Sequence, residues 1–398
     1  VKTVDYGEFM TTLFAAIILL GVIVFVHELG HYLAARSIGV KVERFSVGFP
    51  PRLMTFTSIP GAWEFKLFFY KKNKSGKYNW GPIYKSIIAR PGSKGTDTEY
   101  CIAIIPFGGY VKVAGIIDES MDTKYENKPY ELMSKPKWKQ IWFQSAGVIM
   151  NLILAFIIFT GLSNYSGMIV PSKMPIINEV IENMPADQSG LKAGDVIKAV
   201  NGKSIKTWSE LTKEIHERPN QNIDIIYQRG STKSNILLES TFQINPSNGD
   251  TIGIIGIYPK YQNVPVNLIE SMNMGATATV RGFGMAILTI KMLTSGQASM
   301  KELGGPILIA QLAGQTAEAG WVPFLTLMAL ISCNIAFINI LPIPGLDGGH
   351  IFITLIEGII RKPLTLKMRM GIQQVGMLLI LMLMITVIVN DVGRLLGN

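Results

Sequence analysis

The sequence predicts an α-helical polytopic membrane protein with four transmembrane segments, a membrane-associated β-hairpin or β-sheet region and one soluble α+β domain. Three observations carry that expectation. Four stretches, Leu13 to Ile38, Ile141 to Leu162, Val322 to Leu341 with a continuation, and Gly371 to Val389, are apolar over the roughly 20 residues that a membrane span requires. Basic side chains are segregated: residues 36–139 hold 18 Lys and Arg against 9 Asp and Glu, and residues 361–369 add four basic residues without an acid. Residues 164–320 balance at 13 against 13, and within them short segments alternate apolar and polar residues around one helical stretch. At 398 residues and 48% hydrophobic, with a mean hydropathy of +0.31, the chain is too apolar and too segmented for an ordinary soluble domain.

The first span occupies residues 1–39 and carries His27-Glu28-Leu29-Gly30-His31 at the end of the apolar run Leu13 to Val26. Ionisable groups are too costly in hydrocarbon to be kept there without a task. On a helix the two histidines lie on one face, one turn apart, so both imidazoles reach a single ion. Glu28 lies beside them, free to handle a proton. Catalytic-looking residues inside the run, and no small-residue cleavage site after it, argue against a cleavable signal peptide.

Residues 40–140 follow as a cytoplasmic and membrane-associated β region. Gly39 to Phe49 alternates with strand period, and a second strand pattern runs from Glu99 to Val113, with Gly108-Gly109 as its turn and Pro106 suited to an edge or bend. Lys71 to Gly95, rich in Lys, Gly, Ser and Asn, reads as an inserted flexible loop without assigned chemistry. The excess of Lys and Arg places this region and the 361–369 connection on the cytoplasmic side, leaving both chain ends and the charge-balanced segment outside. The net charge of +9 is then a topology signal and an attraction to anionic lipid; no nucleic-acid motif is present.

The second span, residues 141–165, offers Asn151 to line a cavity. Residues 166–262 read as the soluble domain, with strands at Ile176 to Ile181, Val196 to Val200, Ile223 to Gln228 and Ile236 to Ser240 and a helix from Trp208 to Arg218. Its stretch Ala186 to Gly202 resembles bacterial PDZ domains, which bind extended peptides by strand addition. No carboxylate-binding loop is legible, so a peptide or substrate ectodomain as ligand and a spacer role both stay open. His216 is expected on its surface. In residues 263–320, Val266 to Leu293 has helical period but too many polar residues to span, and fits an interfacial amphipathic helix whose Met272, Met285, Ile287 and Leu288 face acyl chains. The third span, residues 321–362, must break at Leu341-Pro342-Ile343-Pro344-Gly345-Leu346-Asp347-Gly348-Gly349-His350, because two prolines and three glycines cannot continue a helix; residues 363–398 form the fourth. Asp347 is the sole carboxylate of that break, hence a metal ligand or an unexplained cost of several kcal/mol. His27, His31 and Asp347 supply N/N/O ligation with a fourth position open, as catalytic zinc requires. Ligand count alone leaves iron and manganese open. Cys101 and Cys333 have no ligand spacing and imply no disulfide.

His27-Glu28-Leu29-Gly30-His31 paired with Asn339-x-x-Pro342-x-Pro344-x-Leu346-Asp347-Gly348 resembles the site-2 protease family of intramembrane zinc metalloproteases. Phe45-Ser46-Val47-Gly48-Phe49, Ile105 to Lys112 and Gly304-Gly305-Pro306-Ile307 are similar to its bacterial branch, which includes the regulator of sigma-E protease. Two departures stand out: that branch often carries two PDZ domains where one is legible here, and its second span commonly reads Ala-Gly-Pro-x-x-Asn where this chain has Ala146-Gly147-Val148-Ile149-Met150-Asn151.

The resemblance implies a bacterial inner-membrane zinc endopeptidase, with one zinc per chain held by His27, His31 and Asp347 toward the cytoplasmic side, and with Glu28 taking and returning the proton. Its substrates would be single-pass membrane proteins already trimmed outside, such as anti-sigma factors or signal-peptide remnants, cut within their membrane segments. Asn334 and Asn339 would contact substrate backbone or a developing oxyanion, or else supply interhelical hydrogen bonds. The limb carrying Gly108, Gly109 and Tyr110 would hold the unwound substrate extended by strand pairing. The soluble domain would exclude bulky ectodomains, and a monomer is expected. A cation transporter would be expected to show internal repeats, and none is found. An inactive scaffold would be expected to have lost one of the four catalytic residues, and all are present.

Overall fold

The computed structural model describes residues 6–72, 78–115, 127–244, 251–299, 301 and 303–396. The chain forms two compact units, one of residues 1–162 with 269–398 and the other of residues 163–268.

In the first unit, α1 (Tyr6–Ser37) is followed by β1 (Val42–Ile59), β2 (Ala62–Lys72), β3 (Tyr78–Ala89) and β4 (Glu99–Val113), then α2 (Lys137–Ser166). The four strands form one sheet in the order β3-β2-β1-β4. Its registers show that Val42–Val47 is flanked by Gly109–Val113 on one side and contacts Glu99–Ile102 on the other. Gly109–Val113 is therefore an outer edge, with no further strand on it among the described residues.

The flexible loop expected over 71–95 is instead largely a hairpin. β2 and β3 pair continuously from Ala62↔Ala89 to Lys72↔Tyr78, with one irregularity at Leu67/Phe68. Aromatic and β-branched residues on both faces of β3 blur the alternation that would have announced it, and polar residues at the connection dominate the local composition. Residues 73–77 of the expected loop lie outside the described residues. At the expected Gly108-Gly109 turn β4 keeps strand conformation but doubles back: Glu99–Ile102 runs parallel to Arg44–Val47 on one side of it, and Gly109–Val113 antiparallel on the other. Gly108 lies at the end of that reversal, with φ +140° against the Phe49 ring, where a Cβ has no room.

The second unit contains β5 (Met168–Pro171), β6 (Ile177–Val180), α3 (Pro185–Gln188), β7 (Val196–Val200), β8 (Lys203–Ser204), α4 (Trp208–His216), β9 (Asn222–Arg229), β10 (Thr232–Glu239), β11 (Thr241–Ile244), β12 (Thr251–Ile254), β13 (Ile257–Pro259) and β14 (Tyr261–Val264). Sheet β10-β9-β7-β8 packs Ile197, Val200, Ile223 and Ile225 against Leu211 and Ile215 of α4. Thr207 and Glu210 close a capping box at the start of α4 and so set its boundary. His216 is half-buried rather than exposed, and burial lowers its pKa. Trp208, Leu211 and Ile215 face Ile254, Ile255 and Ile257 across an apolar groove.

The chain then returns to the first unit through α5 (Leu268–Thr294), α6 (Pro306–Ala319), α7 (Trp321–Ile340), α8 (Asp347–Ile360) and α9 (Leu366–Leu395). Four of the described helices are long and apolar enough to cross a membrane: α1, α2, α7 and, over Lys367–Leu395, α9. α5 does not join them. It lays Gly275 on Thr160 of α2 and Gly282 on Cys333 of α7, while Met272, Met285, Ile287 and Leu288 stay exposed. The expected break in the third span lies at 341–346, between α7 and α8. Gly348 and Gly349 sit so close to the carbonyls of Ile340, Leu341 and Ile343 that neither position admits a side chain.

Candidate metal centre

Two helices remote in sequence supply the ligands, and a third backs them. α1 contributes His27 and His31, both buried, on the face that their four-residue spacing predicts. The first turn of α8 contributes Asp347. Asp347 Oδ2 lies 3.2 Å from His27 Nε2 and 3.3 Å from His31 Nε2, and the two Nε2 atoms are 3.3 Å apart. Ligands at the usual zinc bond length of about 2.0–2.1 Å in a tetrahedron stand about 3.3–3.4 Å from one another, so this near-equilateral triangle fits one ion. Asp347 Oδ2 is also buried without a hydrogen-bond partner, an orphan that a cation resolves. The three side chains form a possible metal-holding group among the described residues.

The other ring nitrogens are held from behind, as ligating histidines require. His31 Nδ1 lies 2.9 Å from the Phe143 carbonyl, which accepts its proton and frees Nε2 for a metal. His27 Nδ1 lies 3.3 Å from the side-chain amide of Asn151, which is fully buried in α2. A ring that ligates through Nε2 carries its proton on Nδ1, and an amide turned by 180° accepts that proton through Oδ1, the atom that otherwise has no partner. Asn151 therefore stands behind His27 rather than on an open cavity wall. Its backbone carbonyl accepts a hydrogen bond from Ser332 of α7 at 2.8 Å, tying two spans together beside the site.

Two glycines without spacing signals of their own let the helices close around these groups. A Cβ on Gly147 of α2 would fall 2.5–2.6 Å from the His27 and His31 rings, and one on Gly30 would collide with the Ala146 carbonyl and Met150. Small residues at a helix crossing permit such an approach. Gln144 of α2 bonds Thr354 of α8 at 3.2 Å, and the fully buried Glu357 of α8 pairs with Lys137 at 2.6 Å and Arg369 at 2.5 Å, so α8 is fastened to both α2 and α9. His350 is not one of the three grouped side chains; it lines a small cavity with Pro344 and Arg369.

Glu28 faces the edge strand. The Val111 N–H interacts with its carboxylate, and a Cβ on Gly109 would lie 3.5 Å from its Cγ. Tyr110 projects into the sheet's ion network instead, where its hydroxyl accepts from Arg44 at 3.0 Å and Glu99 bonds Arg44 and Arg52. Asn334 and Asn339 are half-buried on α7, and among the described residues neither makes a hydrogen bond to His27, His31 or Asp347.

Comparison with known proteins agrees with this chemistry. The sequence profile described as Peptidase family M50 matches residues 15–72 and 85–383. Regulator of sigma-W protease RasP of Bacillus subtilis (strain 168) is 27% identical over 462 residues, covering 97% of this chain and 99% of that protein. Zinc metalloprotease RasP of Bacillus licheniformis is 27% identical over 461 residues, covering 97% and 100%. A relative in Clostridium acetobutylicum is 30% identical over 377 residues, covering 95% and 96%. Among solved structures, the PDZ domain of an SdrC-like protein from Listeria monocytogenes matches at 24% identity with a TM-score of 0.19, over 23% of this chain and 90% of that one.

Proposed function

Since this chain belongs to peptidase family M50 and is a zinc metalloprotease, we propose that it cuts peptide bonds inside the transmembrane segments of single-pass membrane proteins already trimmed outside the membrane. The observation that carries this reading is the convergence of His27, His31 and Asp347 beside Glu28, with His27, Glu28 and His31 on α1, a helix long and apolar enough to cross a bilayer. His27, His31 and Asp347 would hold one zinc per chain. Zinc bound there would supply Lewis acidity and lower the pKa of its water to about 7.

The chain's own residues supply the rest. Glu28, beside the ligands and facing the Gly109–Val113 edge, accepts the proton of the attacking water and returns it to the leaving amine. A peptide bond in a helix is shielded by its own hydrogen bonds, so the substrate must first be drawn out. Gly108, Gly109 and the outer edge they open offer a place for an added strand, which would deliver an extended segment past Glu28. Asn334 and Asn339 would serve the substrate backbone or hold the helices around it. The α+β unit, read as a PDZ domain, would admit short ectodomain remnants, take a peptide in its apolar groove, or both. An anti-sigma factor fits as substrate, in keeping with the sigma-W regulator among the relatives.

The test is cleavage of a trimmed single-pass substrate by purified wild type and Glu28→Gln, with metal content measured for both. Wild type should cut within the membrane segment. Glu28→Gln should keep its zinc and lose about 10²–10⁴-fold in rate. Cleavage by the variant at the wild-type rate would refute the role of Glu28, and cleavage only outside the membrane segment would refute the intramembrane reading.

A further inference from the structure

The region expected to be a featureless loop closes a second pocket away from the metal centre. Arg36, in the last turn of α1, lines it together with Arg90 and Lys94 from the segment after β3. Ser58, Ser93 and Thr96 supply hydroxyls on the same walls. No carboxylate is among the described residues that line it. None of the three cations is ion-paired with a described carboxylate, and the neighbouring Asp97 is taken by Lys41 at 3.5 Å. Thr96 Oγ1 is buried with no hydrogen-bond partner. Ser93 Oγ accepts from the Gly95 N–H at 3.3 Å, which leaves its own proton to donate.

The segment is held in shape. Gly61 N donates to the Ser93 carbonyl at 2.8 Å, Arg90 N to the Gly61 carbonyl at 2.8 Å, and Thr96 N to the Ser58 carbonyl at 3.1 Å. Gly95 takes φ +67°, and a Cβ there would collide with the backbone at Ile59 and Pro60. A pocket with three free cations, several hydroxyl donors and no acceptor carboxylate is built for an oxyanion rather than a metal or an amine. Two of its cations are arginines, whose planar forks match phosphate. Arg36 closes a membrane-crossing helix, which puts the pocket at the depth where lipid phosphates lie.

We propose that this pocket binds a phosphate group, that of an anionic phospholipid headgroup or of free inorganic phosphate. The test is calorimetric titration of the full chain in an uncharged detergent. The probes are inorganic phosphate, dihexanoyl-phosphatidylglycerol and dihexanoyl-phosphatidylcholine, the lipids kept below their micellar concentrations. The comparison variant is R90Q/K94Q, at exposed positions away from the metal centre. Binding of phosphatidylglycerol but not phosphatidylcholine by wild type, weakened about tenfold or more in the variant, assigns a lipid headgroup. Binding of inorganic phosphate alone, lost in the variant, assigns the free anion. Equal binding of each probe by wild type and variant, or no binding by wild type, overturns the proposal. Unchanged zinc content and melting temperature certify the variant's fold, and Lys94→Gln alone replaces it should the double variant melt early.

Discussion

Gly147 works by having no side chain. The rings of His27 and His31 occupy the space where its Cβ would stand, so Gly147→Ala should push both imidazoles off their shared point. Zinc affinity is expected to fall at least as far as on loss of a supporting hydrogen bond, about 10–100-fold. Competition with a chelator measures this, and wild-type affinity in the variant would contradict the packing. Another buried residue makes a prediction about acid. Burial alone would raise the pKa of Asp195, but paired hydrogen bonds from Arg229 at 2.7 Å and one from the Lys192 N–H hold it below the usual carboxylate range. With the folded pKa below the unfolded value of about 3.9, the stabilisation is present above that value and is lost as pH falls through the folded one. Melting of the α+β unit should therefore drop more steeply between about pH 5 and 2 in wild type than in Asp195→Asn. Equal slopes would show that Asp195 is not the sensor. The ligands themselves were legible from the sequence, because hydrocarbon penalises histidines four apart and a lone carboxylate unless an ion gathers them. Gly147 was not, since the absence of a side chain carries meaning only once its neighbours are in place.

At the scale of elements, the segment Gly304-Gly305-Pro306-Ile307 gains a physical reading. α6 begins at Pro306 with no side-chain cap of its own. Asp391 of α9 supplies one: its carboxylate accepts from Gly305 N at 2.9 Å, Ile307 N at 3.0 Å and Leu308 N at 3.1 Å. A Cβ on Gly305 would strike that carboxylate. An anion at a helix N-terminus satisfies both the free N–H groups and the helix dipole. Asp391→Ala should then cost about 1–3 kcal/mol, read as a lower melting temperature in detergent; an unchanged transition would mean that water replaces the cap. Such a partner cannot be seen in a sequence window, because it comes from another helix far along the chain. α4 is the opposite case: Thr207, Glu210 and the apolar spacing of Leu211 and Ile215 announce both its start and its buried face. The β2–β3 hairpin falls between. Its strands are real, but a sheet apolar on both faces does not show the alternation on which strand recognition depends.

For the whole molecule, the four long apolar helices and the segregation of basic residues make a joint prediction about sidedness. A cysteine at Lys94 should be shielded from a membrane-impermeant maleimide applied to intact cells and react after permeabilisation. One at Lys233 on β10 should react from outside. The reverse pattern would invert the topology; the native Cys101 and Cys333 are both buried and give little background. Span number and the broken third span were legible because length and hydropathy are properties of a single segment. The way the spans meet was not, because it depends on glycine contacts and on the Glu357 ion cluster, which join segments far apart in the chain.

The split origin of the ligand triangle, on α1 and α8, also has a consequence in time. His27 and His31 are made with α1, whereas Asp347 follows on the order of 300 residues later, a delay of roughly 15–60 s at about 5–20 residues per second. Throughout that interval the growing chain lacks its acidic ligand. The ligand triangle is thus incomplete until α8 is made, so the metal centre is among the last parts of the chain to form.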